Sequence, residues 1–516
     1  MTTNTHTTTA SSSLGAAAPG RDTPPSALAA LHQHPGRTLG LLALWLLLTI
    51  GLRPLLLPDE GRYAEVAREM LHGDGLVPTL LGLPFFHKPP LMYWLDIAGM
   101  HLLGVHAFAA RVAPALGAWL MGAALFLDLR RRVGPREALI ALGVMATTPF
   151  FFIGGQYANH DMLVAGLITV AIVCGQRAVD DTGRTDLRWL LAAWSAMALG
   201  VLAKGLIGVV LPVLVVGPWL LAQRRWRQCL GLMHPLAVGL FLLIAAPWFV
   251  AMQLRYPGFF DYFFMEQHVR RFAQVGFNNA QPAWFYVAVL PLLTLPWSFW
   301  LPAAWRTAPQ GLQRGLVLWW LVGITGFFSM PTSKLVGYVL PALPPLCMLL
   351  GLAVARGSAW RQVLPAAAVL CVGIVAALAW QAPHSHRDLG EALARQHQPQ
   401  DRVVFVDGAF FDVPFYAGLT RPPIVLSNWN DPDLPRTDNW RKELFDAGRF
   451  DPPAAARQLW RTDQAGVLLC ATGTVWFIAD LAWKPVPALS GLAEVYKGKN
   501  GVLWRAVVDT PPPGCP

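Results

Sequence analysis

Charge is what this sequence has least of. Of its 516 residues only 14% are charged, against about a quarter in ordinary soluble domains. The shortage is uneven. Up to His384, 41 of 384 residues carry charge, against 29 of 132 from Ser385 onward. The first three quarters therefore lack the material for a water-facing surface, and the last quarter has it. Acids are scarcer than bases, 30 against 40, which leaves a net charge of +10. That excess does not form a nucleic-acid-binding stripe. The bases sit in short clusters between apolar runs, the pattern that orients membrane helices. Cysteine is scarce too: there are six, with no Cys-x-x-Cys pair and so no zinc ribbon. Cys174, Cys229, Cys347 and Cys371 fall in or beside apolar runs. Cys470 and Cys515 can pair if their part of the chain faces an oxidising compartment. No Walker motif or Rossmann fingerprint is present, so no nucleotide cofactor is expected.

What is there is mostly apolar. Residues 1–37, rich in Thr, Ser, Ala, Pro and Gly, have no apolar periodicity and predict a disordered tail. The run from about Leu39 to Leu57 is too long and too late for a cleaved signal. Further runs at about 109–129, 136–156, 162–179, 187–203, 205–222, 230–254, 283–303, 314–330, 335–355 and 362–381 bring the predicted spans to eleven, with room for up to thirteen. The expected fold class is a polytopic α-helical membrane protein with a small C-terminal α/β domain. With the N-terminus inside, fourteen arginines fall in short inner loops, such as Arg130–Arg132, and nine basic residues in longer outer ones. The stretch Leu91–Val105 carries Asp96 and His101, is too short to span, and predicts an interfacial helix. The resulting division is a cytoplasmic tail (1–37), a transmembrane domain (38–384) with interfacial helices in the outer loop 58–108, and a soluble outer domain (385–516). In that domain Arg402–Val406, Ile424–Leu426 and Val467–Cys470 predict strands, 474–483 a helix, and Leu492–Val508 a hairpin turning at Lys499-Asn500-Gly501.

Chemistry concentrates in the outer loops. The first opens with Pro58-Asp59-Glu60-Gly61-Arg62-Tyr63 and closes with Phe86-His87-Lys88-Pro89-Pro90. Asp59 reads either as a helix N-cap, with Arg62, Glu65 and Glu69 forming pairs at helical spacing, or as an acid set where a lipid-linked phosphate arrives. Asp161 reads as a cap or a second acid. Taken alone, the Glu266-Gln267-His268-Val269-Arg270-Arg271 segment reads as an amphipathic surface helix with solvated arginines, and Lys334 as a snorkelling lysine, yet both add polar groups on the same side. Each signal is weak alone. Together they fall on one face.

These residues resemble the bacterial aminoarabinose transferases, which belong with the protein O-mannosyltransferase-like GT-C glycosyltransferases. The resemblance rests on Asp59-Glu60-Gly61-Arg62-Tyr63-Ala64-Glu65, His87-Lys88-Pro89-Pro90-Leu91 with Tyr93-Trp94, Asp161-Met162-Leu163, Ala203-Lys204-Gly205, the Glu266–Phe272 segment, and Lys334 with Tyr338-Val339-Leu340-Pro341. They occur in the family's order and cover about residues 40–350. The resemblance implies a helix bundle with interfacial helices over the site, and transfer of a sugar from a polyprenyl-phosphate donor. The sugar it points to is 4-amino-4-deoxy-L-arabinose, and the acceptor lipid A or another envelope molecule. It implies the bacterial inner membrane, with the active site and C-terminal domain periplasmic. By position, Asp59 and Asp161 become the catalytic acids. Arg62, Lys88, Arg270, Arg271, Lys334 and Tyr338 become donor-phosphate contacts, with Glu60 and Glu266 nearby. His87 stands where the family commonly has an acid. With His268 it leaves a divalent metal, zinc or another, as an open expectation.

Other function classes remain in view. Within enzymes, a relative glycosylating proteins or other lipids uses the same parts. A transporter or flippase would place its ionisable groups at mid-membrane and break helices in paired repeats. A membrane scaffold with a partner-binding domain leaves the polar loops unexplained.

Overall fold

The computed structural model describes residues 1–2, 31, 34–179, 184–270, 279–306, 313–489, 491–510 and 515, with the backbone alone at 268–270 and 488. Apolar runs wind into helices because in lipid every backbone N–H and C=O must find its partner within the chain. Among the described residues five helices are long and apolar enough to cross a membrane: Ala109–Arg132, Leu187–Lys204, Pro235–Arg255, Val336–Val354 and Trp360–Gln381. A sixth span arises if Phe285–Leu293 and Trp297–Arg306, bent by 108°, count as one. Shorter apolar helices fill the other runs, among them Pro35–Leu47, Ile207–Ala222 and Arg314–Ser329.

Three runs depart from continuous spans. The first helix stops at Leu47, and residues 48–58 turn so that Arg53 reaches Glu60. The run 136–156 splits into Pro135–Ala146 and Pro149–Gly154, because Pro149 disfavours helix at the residue before it. The run 283–303 breaks at Thr294–Pro296 for the same reason. Hydropathy joins such pieces. Proline geometry separates them.

Val112–Arg132 is the measuring rod of the bundle. Its 21 residues run about 31 Å at helical rise. At its start Arg111 meets Glu60, and near its end Asp128 accepts from Arg132 at 2.9 Å and from Arg177 at 3.3 Å. The acidic-loop face and the arginine-rich face are therefore opposite ends of the bundle. Val112–Arg132 crosses His160–Arg177 at Gly117 and Gly166, where a Cβ on either glycine would land on the other helix's backbone. Small residues at such crossings let helices approach closely in lipid.

Where the sequence predicts a helix over Leu91–Val105, a helix runs over Leu91–Leu103, starting directly after Pro90. Its 13 residues reach about 20 Å, short of the roughly 30 Å hydrocarbon core. Before it, Thr79–Leu80 (β1) and Leu83–Pro84 (β2) pair as a small antiparallel hairpin.

The C-terminal unit holds a six-stranded sheet of Arg402–Val406 (β3), Ile424–Ser427 (β4), Leu459–Arg461 (β5), Gly473–Ala479 (β6), Ala493–Lys497 (β7) and Val502–Val508 (β8), in the order β5-β4-β3-β6-β8-β7. The pairs β3–β4, β4–β5 and β3–β6 are parallel, and β8 runs antiparallel to both β6 and β7. Two expectations are corrected. Val467–Cys470 is not a strand, since Thr462–Leu469 winds as a 3-10 helix. Residues 474–483 are not a helix, since 473–479 form β6, buried between β3 and β8. A strand covered on both faces reads as a continuous apolar run, and periodicity alone cannot tell it from a buried helix. The hairpin at 499–501 is as expected, and Cys470 is bonded to Cys515.

Candidate active site

The site is built around the Asp59–His72 helix, which follows Pro58. Asp59 does not cap it. Its carboxylate accepts from Arg62 at 2.6 Å, one turn on. The other arm of that guanidinium is bonded to Glu443, and its plane lies 4.9 Å from the centre of the Tyr63 ring. Glu443 comes from the C-terminal unit, on the Trp440–Gly448 helix, whose first turn is held by the Asn439 side chain accepting from the Arg441 and Lys442 amides. On the same helix, Lys442 donates to Glu266 at 3.0 Å and to Asp446 at 2.5 Å. No chemistry was legible in this domain's sequence, because both contacts span more than 170 residues.

Beneath this layer Glu60 is fully buried. It is ion-paired with Arg53 and Arg111 and accepts from the Ala158 amide at 2.9 Å. Burial works against its charge, but the two guanidiniums outweigh burial and bring its carboxyl down to about 2. Arg111 also donates to the carbonyls of Ile50, Arg53 and Pro54. Glu60 is thus the staple that joins the turn at 50–58 to the loop carrying Asp161. Its role is structural.

The second acid sits on the His160–Arg177 helix. Asn159, not Asp161, caps that helix, through a bond from the Asp161 amide at 3.0 Å. The Asp161 carboxylate is ion-paired with Lys204, the last residue of its own helix, and Lys204 lies 4.6 Å from the centre of the Tyr338 ring. Gly337 has no room for a Cβ, which would strike the Asp161 carboxylate. Asp161, Lys204 and Tyr338, far apart in sequence, therefore form one cluster. Between the two acids stands His160, buried, edge-on to Tyr63 at 4.6 Å and to Tyr93 at 5.2 Å.

The remaining expected residues divide. Lys88 donates to the His87 carbonyl at 3.1 Å. Lys334 is buried and commits its ammonium to the carbonyls of Gln281 and Pro331, at 2.8 and 2.5 Å. His268 and Arg270 lie on the helical 261–270 segment, where only their backbone is described, and Arg271 lies outside the described residues. His87 stacks on Phe85 at 4.6 Å. Among the described residues no three His, Cys, Asp or Glu side chains converge to hold a metal.

Residues 27–263 match the Dolichyl-phosphate-mannose-protein mannosyltransferase family. An "Undecaprenyl phosphate-alpha-4-amino-4-deoxy-L-arabinose arabinosyl transferase 2" of Pseudomonas fluorescens (strain Pf0-1) is 34% identical over 329 residues. That match covers 61% of this chain and 59% of the relative's length. The arabinosyl transferase of Pectobacterium carotovorum subsp. carotovorum (strain PC1) is 36% identical over 392 residues, 71% of this chain and 67% of that one. The crystal structure of ArnT from Cupriavidus metallidurans bound to undecaprenyl phosphate superposes with a TM-score of 0.79. It is 22% identical, and the match covers 92% of this chain and 98% of ArnT, which establishes a shared fold. With these relatives beside the membrane bundle and its paired acids, the chain belongs to the undecaprenyl phosphate-alpha-4-amino-4-deoxy-L-arabinose arabinosyl transferase family.

Proposed function

We propose that the protein transfers 4-amino-4-deoxy-L-arabinose from undecaprenyl phosphate to lipid A, at the outer face of the bacterial inner membrane. One observation carries the reading. The Asp59 carboxylate is bonded to Arg62, the Asp161 carboxylate is ion-paired with Lys204, and the two pairs are joined through the buried His160 ring and Tyr63, which carries Arg62 on its face. Cations so placed suit a prenyl-phosphate leaving group, whose charge grows as the bond from the sugar carbon to the phosphate oxygen breaks. The bonding pair leaves with the phosphate, and an acceptor oxygen takes its place on the sugar carbon. A phosphate acceptor is already anionic, so Asp59 then orients it and offsets positive charge developing at the carbon. A hydroxyl acceptor, on a protein or another lipid, would instead need Asp59 as a base.

The same reading assigns residues 1–37 to the cytoplasm, 38–384 to the membrane enzyme and 385–516 to the periplasm. The Cys470–Cys515 bond supports an oxidising compartment for the last part. Surrounding membrane lipids cover the apolar outer surface of helices such as Trp360–Gln381. The test is mass spectrometry of lipid A from cells with and without the protein, supplied with candidate prenyl-linked sugars. Protein-dependent addition of aminoarabinose is expected. An unchanged lipid A together with a changed glycoprotein pattern would move the acceptor to protein.

A further inference from the structure

We infer that His160, with Tyr93 packed edge-on against its ring, is the donor-sugar recognition pair of this site. The inference rests on the transferase reading above and deepens it.

His160 is 1% exposed, and Tyr93 is wholly buried. Neither ring nitrogen of His160 and not the hydroxyl oxygen of Tyr93 has a hydrogen-bond partner among the described residues. Buried polar atoms without partners are rare in folded proteins and point to a ligand or solvent that completes them. Core packing would be served as well by leucine and phenylalanine. Placement excludes a purely remote role. His160 precedes Asp161 in the chain, and its ring touches Tyr63, which carries the Arg62 guanidinium on its face. It therefore lies between the first acid, bonded to Arg62, and the second, bonded to Lys204.

Chemistry separates the two halves of the donor. Its phosphate is served by the cations, which are strong anion partners. A neutral imidazole carries one donor and one acceptor, and a phenol can do either. That is a match for sugar hydroxyls or a neutral amine. A pocket that binds through otherwise unpaired polar atoms rejects ligands that cannot satisfy them.

The experiment uses the full-length protein in detergent or nanodiscs, with His160→Leu and His160→Asn. Binding is measured by native mass spectrometry for undecaprenyl phosphate alone and for undecaprenyl phosphate carrying aminoarabinose, another pentose or a hexose. Wild type should prefer one sugar-bearing lipid over the bare lipid. His160→Leu should bind the bare lipid within about twofold of wild type, keep its melting temperature, and lose tenfold or more of the sugar preference. His160→Asn should recover part of it. If the preferred sugar is not aminoarabinose but the preference still vanishes in His160→Leu, the donor assignment above fails and the inference stands. A leucine variant that retains the full sugar preference overturns the inference. So does one that loses bare-lipid binding to the same degree, and so does a wild type that ignores the sugar.

Discussion

At the residue scale the sharpest question is Asp59. It is not an N-cap but the partner of Arg62, so the capping account, under which Asp59→Asn is nearly silent, loses its basis. Asparagine keeps the shape but cannot offset charge at the sugar carbon. Asp59→Asn should therefore reduce transfer at least about a hundredfold, the usual scale of acid–base and charge effects, with undecaprenyl phosphate binding retained. A turnover assay on purified protein decides it. Lys88→Ala should weaken donor use by about 1.5–3 kcal/mol, the worth of a hydrogen bond to a charged group, read as kcat/KM. Lys88→Arg should restore part of it. Glu60 behaves differently because it holds structure. Glu60→Gln leaves Arg53 and Arg111 facing a neutral group in a buried site, and should cost about 3–5 kcal/mol of stability. The sign with pH follows from its lowered carboxyl, about 2 against an ordinary 4.5. The stabilisation is complete above about 4.5 and is lost as pH falls through about 2. Melting curves of wild type and Glu60→Gln should thus differ fully at pH 7 and converge in acid.

At the element scale the crossing of Val112–Arg132 with His160–Arg177 sets the site, since one helix starts directly after Arg111 and the other opens with His160 and Asp161. Gly166→Val would drive a side chain into the Gly117 backbone and should abolish accumulation of folded protein, as scored by size-exclusion chromatography. Gly217→Ala is the control: nothing stands within 4 Å of a Cβ there, and it should behave as wild type. The Trp440–Gly448 helix works at the same scale. Its Asn439 cap fixes the turn from which Glu443 and Lys442 reach two loops of the membrane part. The C-terminal unit is thereby bound to the site and does not merely hang beside it.

At the scale of the whole molecule, orientation is open to a direct check. Single cysteines at Gly73 and Asp433, both exposed, should react with a membrane-impermeant maleimide from the periplasmic side, and one at exposed Gln223 only after lysis. Labelling of Gly73→Cys from the cytoplasm alone would separate the two acids from the proposed donor face. The sequence by itself determined the membrane character, the polar loops that hold Asp59, Arg62, Lys88 and Asp161, a helix after Pro90, and the strands β3 and β4. These are local signals of hydropathy, charge placement and proline, each written within some twenty residues. Only the tertiary structure decided that Asp161 pairs with Lys204 beneath Tyr338, that Glu60 is a staple, and that Glu443 completes Arg62. It also turned 473–479 into a strand and gave Lys334 to backbone carbonyls. The physical reason is range. Pairing of buried charges and strands depends on which distant segments the packed helices and sheet bring within hydrogen-bond distance, and no local pattern of residue types encodes that.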